Sequence, residues 1–484
     1  MEANRTHTLT DDELYRAAQS RDPRFDGVFF VGVTTTGIYC RPVCSARTPA
    51  RGRCRFYRHA AEAERDGFRA CFICRPELAP GAGTGDRPEA LAALAAATIA
   101  EGTSDLDDVA RGLGVSARHL RRVVVAAVGV TPIELRQSKR IALAKQLLCD
   151  TRLPITEVAY ASGFASVRRF NAVFRARFGR SPTDARRGRG PAERGDGSRI
   201  RLRLEYRPPY DWGAILEFLR ERAIPGVEAV EGSIYRRTIA LGAERGWIAV
   251  EPERGALACE VSLSLASVLL PLVARVRALF DLDAHPVAIG EVLGRTARFA
   301  PLVRRAPGLR VPGAVSGFEL AVRAVLGQQV SVAGARTLAG KLAARFGEPL
   351  ATPFPTLERT FPEPAALANA RITLVPRTRA RAIRELARAV VAGRLDLERT
   401  LDVEATKATL VALPGIGPWT AEYVAMRALR WPDAFPAGDL VLRRALGDDP
   451  VAAVEPVRPW RAYAVMHLWR NHADTEDAAR RRRS

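Results

Sequence analysis

The sequence predicts a multidomain α+β chain of four folded units, and three observations carry that reading. Two close cysteine pairs, YCRPVC at Tyr39–Cys44 and CFIC at Cys71–Cys74, lie in a mixed N-terminal stretch. Helical periodicity from about Pro88 gives way at Ile200 to period-two alternation and returns beyond Pro286. Between the first two regimes lies RRGRGPAERGDGSR, a Gly- and Arg-rich run with almost no apolar residue. The expected units are therefore a small cysteine-rich α/β domain (1–82), an all-α domain (86–185), a flexible basic linker (186–199), an α+β domain (200–285) and a second all-α domain (286–473), with a disordered tail (474–484).

Size and charge narrow the functional classes. At 484 residues the chain exceeds one hydrophobic core, and 47% hydrophobic residues suit fully folded domains. Lys and Arg number 74 against 53 Asp and Glu, a formal charge of +21 that calls for a polyanionic partner such as nucleic acid. No apolar run approaches the ~20 residues of a membrane span, so a membrane partner is not expected. The first residues show no charged-then-apolar leader, which points to a soluble, cytoplasmic, nucleoid-associated protein with reduced thiols. There, paired cysteines read as metal ligands or reactive thiols rather than as disulfides.

The spacing C-x3-C, a long loop, then C-x2-C lets Cys40, Cys44, Cys71 and Cys74 close on one zinc ion, with Zn–S near ~2.3 Å. Cys54, Cys149 and Cys259 stand alone and read as buried small side chains. A purely structural zinc site stays open on spacing alone. TTTGIYCRPVCSAR followed by GFRACFICRPEL resembles the N-terminal domain of the Ada family of DNA repair methyltransferases, over most of residues 8–78. That resemblance implies that Cys40 is both a zinc ligand and the acceptor of a methyl group from an alkylated DNA backbone phosphate. Zinc keeps a thiolate deprotonated at neutral pH, so the chemistry is sound.

In the next unit a short helix, the turn Gly114-Val115 and a second helix capped by Ser116 are followed about fifty residues later by the same arrangement. There the turn is Gly163-Phe164 and the cap Ser166. Thr131-Pro132 opens the long helix between them. The second helices offer Arg118, His119, Arg121 and Arg122, then Arg168, Arg169, Asn171, Arg175 and Arg177. Two such units on one connecting helix reach successive major grooves of double-stranded DNA. The alternative is a set of merely solvated basic helices. The segment resembles the AraC family of transcriptional regulators, which implies promoter DNA and RNA polymerase as partners.

The C-terminal half turns on LPGIGPWTAEYV, Leu413–Val424. Pro414, Gly415 and Gly417 make a tight hairpin whose amides, with the helix N-terminus that follows, suit a phosphate. This resembles the helix-hairpin-helix of DNA glycosylases. FPAGDLVLRR places Asp439 some twenty residues on, where that superfamily keeps its catalytic aspartate, and WRAYAVMHLWR, AVRAVLGQQVSVAGA and YRPPYDWGAILEFLRERA extend the resemblance to the AlkA type of 3-methyladenine glycosylase across 200–472. The resemblance implies a TBP-like α+β domain and a base pocket of Phe218, Gln328, Trp419, Tyr423 and Trp469. It also implies DNA contacts at Gly415, Gly417 and Gln329, and a monovalent cation at the hairpin. A carboxylate beside the sugar stabilises an oxocarbenium-like transition state or orients water, and electron-rich rings favour a cationic alkylated base.

Four departures refine this expectation. Trp419 stands where base-and-backbone-cleaving relatives carry lysine, so the enzyme is expected to be monofunctional. No cysteine follows Cys259 to hold an iron–sulfur cluster. Gln329 replaces the apolar wedge of the AlkA type. The Pro-Cys-His-Arg alkyltransferase domain of Ada is missing. The expected protein is a monomeric alkylation-damage sensor, transcriptional regulator and excision enzyme for 3-methyladenine and 7-methylguanine; the alternative is a regulator whose glycosylase-like half binds damage without catalysis.

Overall fold

The computed structural model describes residues 9–81, 90–101, 105–187, 199–398 and 400–481. The chain divides into two compact units, residues 1–82 with 91–207 and residues 83–90 with 208–484. Most of the expected linker, 188–198, lies outside the described residues.

In the first unit, helix Asp11–Ser20 starts at Thr10, whose hydroxyl and the Glu13 carboxylate form a reciprocal cap. A four-stranded sheet follows in the spatial order Cys54–Tyr57, Phe30–Val33, Ile38–Cys40, Arg69–Ala70. Its first two pairings are antiparallel and the last is parallel, joining Ile38 to Arg69 and Tyr39 to Ala70. That parallel pair sets the ends of the two cysteine segments side by side. Ala17, Ala18, Phe29, Val31 and Cys54 fill the small core, as expected for a lone buried cysteine at Cys54.

The helical part of this unit follows the caps read from sequence. Ser116 accepts from the His119 amide at the start of helix Ala117–Val128, and Ser166 accepts from Arg169 at the start of Val167–Phe178. Gly114 and Gly163 take φ of +67° and +80°, the left-handed turn that favours glycine. Thr131 and Glu134 form a capping box at the head of Pro132–Asp150. Each second helix buries one apolar row, Leu120-Val124-Val128 and Phe170-Phe174-Phe178, at the spacing that puts residues on one face.

In the second unit, strands Glu228–Glu231, Ile234–Leu241, Glu244–Glu253 and Ala256–Ser262 pair antiparallel in succession beside helix Trp212–Arg222. A buried ionic lattice ties this sheet to helix Gly317–Leu326. Arg237 donates to Glu319 at 2.7 Å and Glu228 at 3.2 Å, Arg323 reaches Glu228 at 3.1 Å, and the Tyr235 hydroxyl donates to Glu228. Burial pushes the Glu228 carboxyl up, but Arg323 and Arg237 outweigh it and hold it below the ordinary carboxylate range. Arg237→Met is expected to leave the buried Glu228 and Glu319 carboxylates sharing the single charge of Arg323, and to destabilise this unit by roughly 3 kcal/mol in chemical denaturation.

The remaining helices pack into two hydrophobic clusters, and helix Pro418–Arg427 belongs to both. Ala421 and Val424 enter one, Ala425 and Met426 the other. Trp419 and Tyr423 are thereby fixed on a wedged helix. The last helix, Arg461–Arg481, corrects the expected disordered tail from 474. Pairs four residues apart, His472 with Glu476 at 3.3 Å and Arg470 with Asp474 at 4.0 Å, carry it past the end expected from composition.

Candidate metal centre and candidate active site

The four expected sulfurs converge. The Sγ atoms of Cys40, Cys44, Cys71 and Cys74 all lie within 4.8 Å of one another. A tetrahedron of ~2.3 Å Zn–S bonds has edges near ~3.8 Å, so the cage needs only slight contraction around an ion. Four soft donors at this separation, with no carboxylate or imidazole among them, fit zinc and a closed shell.

Backbone amides distinguish the sulfurs. Arg41 N donates to Cys74 Sγ at 3.3 Å and Ile73 N to Cys71 Sγ at 3.3 Å. Cys40 receives no backbone donor among the described contacts, and it is partly exposed whereas Cys44 and Cys71 are buried. Arg41 is buried and braced by Asp26 and by Glu205 at 2.6 Å, which fixes the segment between Cys40 and Cys44.

Arg118, Arg121 and Arg122 are exposed on the first reading helix, with His119 half-buried and its Nδ1 at 3.0 Å from the Arg122 guanidinium. Arg168, Arg169 and Asn171 are exposed on the second, and so is Arg175. Arg177 is turned to Glu64 at 3.3 Å, leaving it a structural tie.

In the second unit, the hairpin Leu413–Gly417 joins helix Val403–Val411 to Pro418–Arg427. Gly415 takes φ +82°, and a Cβ there would meet the Ala382 methyl at 3.1 Å. Gly417 is the N-cap residue of the second helix. Gln328, expected in the base pocket, instead donates its amide to the Gly415 carbonyl at 2.9 Å and the Thr420 hydroxyl at 3.3 Å. It braces the hairpin. Gln329 is exposed at φ +56°, on the turn before helix Val332–Phe346.

Asp439 caps helix Leu440–Leu446, its Oδ1 accepting from Val441 N at 3.0 Å and Leu442 N at 3.1 Å. It is more than a cap. Trp419 Nε1 donates to Oδ2 at 3.2 Å, and Trp469 Nε1 donates to Oδ1 at 3.2 Å. Two indoles, one from the hairpin helix and one from the last helix, thus meet on a single carboxylate. Trp419 stacks on Tyr423 with ring centroids 5.3 Å apart and planes 8° from parallel, and Tyr423 lies 6.3 Å from Trp469.

Sequence reasoning missed two arginines here. Arg222 lies 3.9 Å from the Phe218 ring centroid; Arg427 lies 4.7 Å from the same ring and 5.5 Å from that of Tyr423. Arg427 is buried and donates to the Tyr423 hydroxyl at 2.6 Å and the Gly313 carbonyl at 2.9 Å. Burial raises the Tyr423 phenol, but Arg427, Arg222 and Arg323 together bring it below its ordinary value. The spacing of Phe218 and Arg222, one helical turn, was the available signal.

Comparison with known proteins adds four matched family models in chain order. The metal binding domain of Ada matches residues 13–77, a helix-turn-helix domain 109–188, the AlkA N-terminal domain 201–316, and the HhH-GPD superfamily of base excision DNA repair proteins 322–451. The chain is 40% identical, over 95% of its length and 96% of the relative's, to a probable bifunctional transcriptional activator/DNA repair enzyme AlkA of Mycobacterium tuberculosis. It is 39% identical to DNA-3-methyladenine glycosylase 2 of Escherichia coli, covering 55% of this chain and 95% of that one. With the Escherichia coli bifunctional transcriptional activator/DNA repair enzyme Ada it shares 34% identity, over 32% of this chain and 43% of that protein.

Proposed function

We propose, from the premise that this chain belongs to the family of bifunctional transcriptional activator/DNA repair AlkA enzymes, that it excises alkylated purines and takes up methyl groups from DNA phosphotriesters on Cys40. It joins an Ada-type zinc-binding domain, a DNA-binding helix-turn-helix domain and an AlkA-type DNA glycosylase domain. The observation that carries the excision reading is the meeting of Trp419 and Trp469 on the Asp439 carboxylate.

The lesion base leaves the stack before reaction, since its glycosidic bond is inaccessible within a duplex. As the C1′–N bond breaks, the bonding pair departs with the base and positive charge grows on the sugar. Asp439, held by two amides and two indoles, presents fixed negative charge to it without reorganising. Water adds at C1′ and gives up a proton, leaving an abasic site. The faces of Phe218 and Tyr423 already carry guanidinium, so contact with a cationic base falls mainly to Trp419 and Trp469.

No lysine stands at Trp419, so no amine is placed to form a Schiff base. Borohydride added during turnover on alkylated DNA is accordingly expected to trap no covalent protein–DNA adduct on denaturing gels. A trapped adduct would show that the enzyme is not monofunctional.

In the first domain, a bound zinc ion would keep the four thiols ionised. The Cys40 sulfur attacks the methyl carbon of a phosphotriester; the S–C bond forms as the C–O bond breaks, and the phosphate oxygen keeps the electron pair. Cys40 is favoured because N–H donors quiet the Cys71 and Cys74 sulfurs and Cys44 is buried. Conversion to a thioether removes one negative charge from the DNA-facing cluster, which strengthens binding to phosphate. A monovalent cation at the hairpin, RNA polymerase as partner of the reader, and a monomeric, nucleoid-associated state complete the proposal, supported by the resemblance of those segments. Mass spectrometry after exposure to methylphosphotriester DNA tests it, with the added methyl expected on Cys40 alone.

A further inference from the structure

The loop bearing Cys71 and Cys74 rests on the helix that connects the two DNA-reading helix pairs. Lys145, on Pro132–Asp150, is 1% exposed. Its ammonium donates to the Cys71 carbonyl at 2.7 Å and to Glu77 at 2.7 Å, and lies 4.6 Å from the Phe72 ring centroid. Arg180 lies equally near that ring, and Phe72 meets Phe178, at the end of the second reading helix, at 5.7 Å. Beside Cys74, Arg75 makes a two-pronged pair with Asp150 at 2.7 and 2.8 Å.

A buried ammonium costs several kcal/mol unless every donor finds a partner. The Cys71 carbonyl is one of those partners, so the loop cannot shift without leaving a donor of the buried Lys145 ammonium unsatisfied. The same domain also holds both readers: Arg65 donates to the Gly129 carbonyl at the end of the first reading helix, and Glu64 pairs with Arg177 of the second.

We propose that Lys145 and the Arg75–Asp150 pair are positioning residues that couple the sulfur cluster to the tandem helix-turn-helix, so that the state of the cluster and the grip on duplex DNA report on each other. Coupling of this kind is reciprocal: DNA held by the readers alters the cluster as much as the cluster alters DNA affinity. Only the identity of the state change, methylation of Cys40, rests on the function proposed above.

The test uses the full chain loaded with cobalt(II) in place of zinc and a mixed-sequence duplex spanning both readers. In the wild type, the duplex is expected to shift the thiolate-to-cobalt absorption bands, and Cys40 methylation to tighten duplex binding about tenfold, within the usual range of coupling between sites. Lys145→Met is expected to retain cobalt stoichiometry and methyl uptake while losing the band shift and most of the affinity gain. Asp150→Asn, which removes only the charge facing Arg75 and leaves the Arg75–Glu77 pair in place, should weaken the coupling as well. Unfolding free energies are measured alongside, so that a loss of coupling larger than any loss of stability is read as positioning. Wild-type band shifts in both Lys145→Met and Asp150→Asn would overturn the proposal. A wild type that takes up no methyl group overturns the acceptor reading instead, and the band shifts still decide this one.

Discussion

Asp439→Asn is expected to lower the release of 3-methyladenine from alkylated DNA by about 10²–10³, the usual effect of removing one preorganised electrostatic group. The substitution separates the two tasks of this side chain. Asparagine is as good an N-cap as aspartate, so the bonds from Val441 and Leu442 to Oδ1 survive and the melting temperature stays close to wild type. What disappears is the negative charge proposed to face the sugar, together with the acceptor for Trp419 Nε1, because the asparagine nitrogen at that position is itself a donor. Asp439→Ala removes the cap as well and should cost about 1 kcal/mol of stability besides the activity. An Asn variant that releases base at the wild-type rate would reduce Asp439 to a helix cap and leave a regulator that binds damage without excising it.

Cys40→His is expected to abolish methyl uptake while retaining one zinc per chain, measured by mass spectrometry of methyl adducts and by metal analysis. Imidazole completes a Cys3His shell as readily as a thiolate, but it leaves no Cys40 sulfur to accept the methyl group. Serine at the same position is less informative, because loss of a ligand loosens the whole cage. The sulfurs of Cys71 and Cys74 accept amide hydrogen bonds that Cys40 lacks, so methyl transfer is not expected to move to a neighbour. A methyl adduct appearing on Cys74 in the His variant would contradict the role given to those amides.

Much of this architecture is legible in local sequence because its determinants are local. Two short cysteine spacings, Ser116 and Ser166 at the heads of the reading helices, and the Thr131-Pro132 start each act within a few residues of themselves. Asp439 was placed through its resemblance to a family motif, and the structure adds why its orientation is fixed: donors arrive from Trp419, 20 residues before it, and Trp469, 30 after. The missed features are those made by distant partners. Lys145 reads as one more solvated charge on a helix until Cys71, 74 positions earlier, is seen against it. Arg427 is one cation among many in a basic chain, and only packing puts it between Phe218 and Tyr423. Gln328 was assigned by position in the resemblance to the pocket, but its amide reaches the hairpin carbonyl 87 residues on.

The account stands on two chemically separate repair sites in one polypeptide, a sulfur that keeps what it removes and a carboxylate that turns over. One reaction tests this most directly: the purified chain in excess over duplex DNA carrying isotopically labelled methyl groups on both purines and backbone phosphates. The account predicts free labelled purine in solution and, on Cys40, at most one labelled methyl per chain. Label missing from the released base, or missing from Cys40, would contradict it.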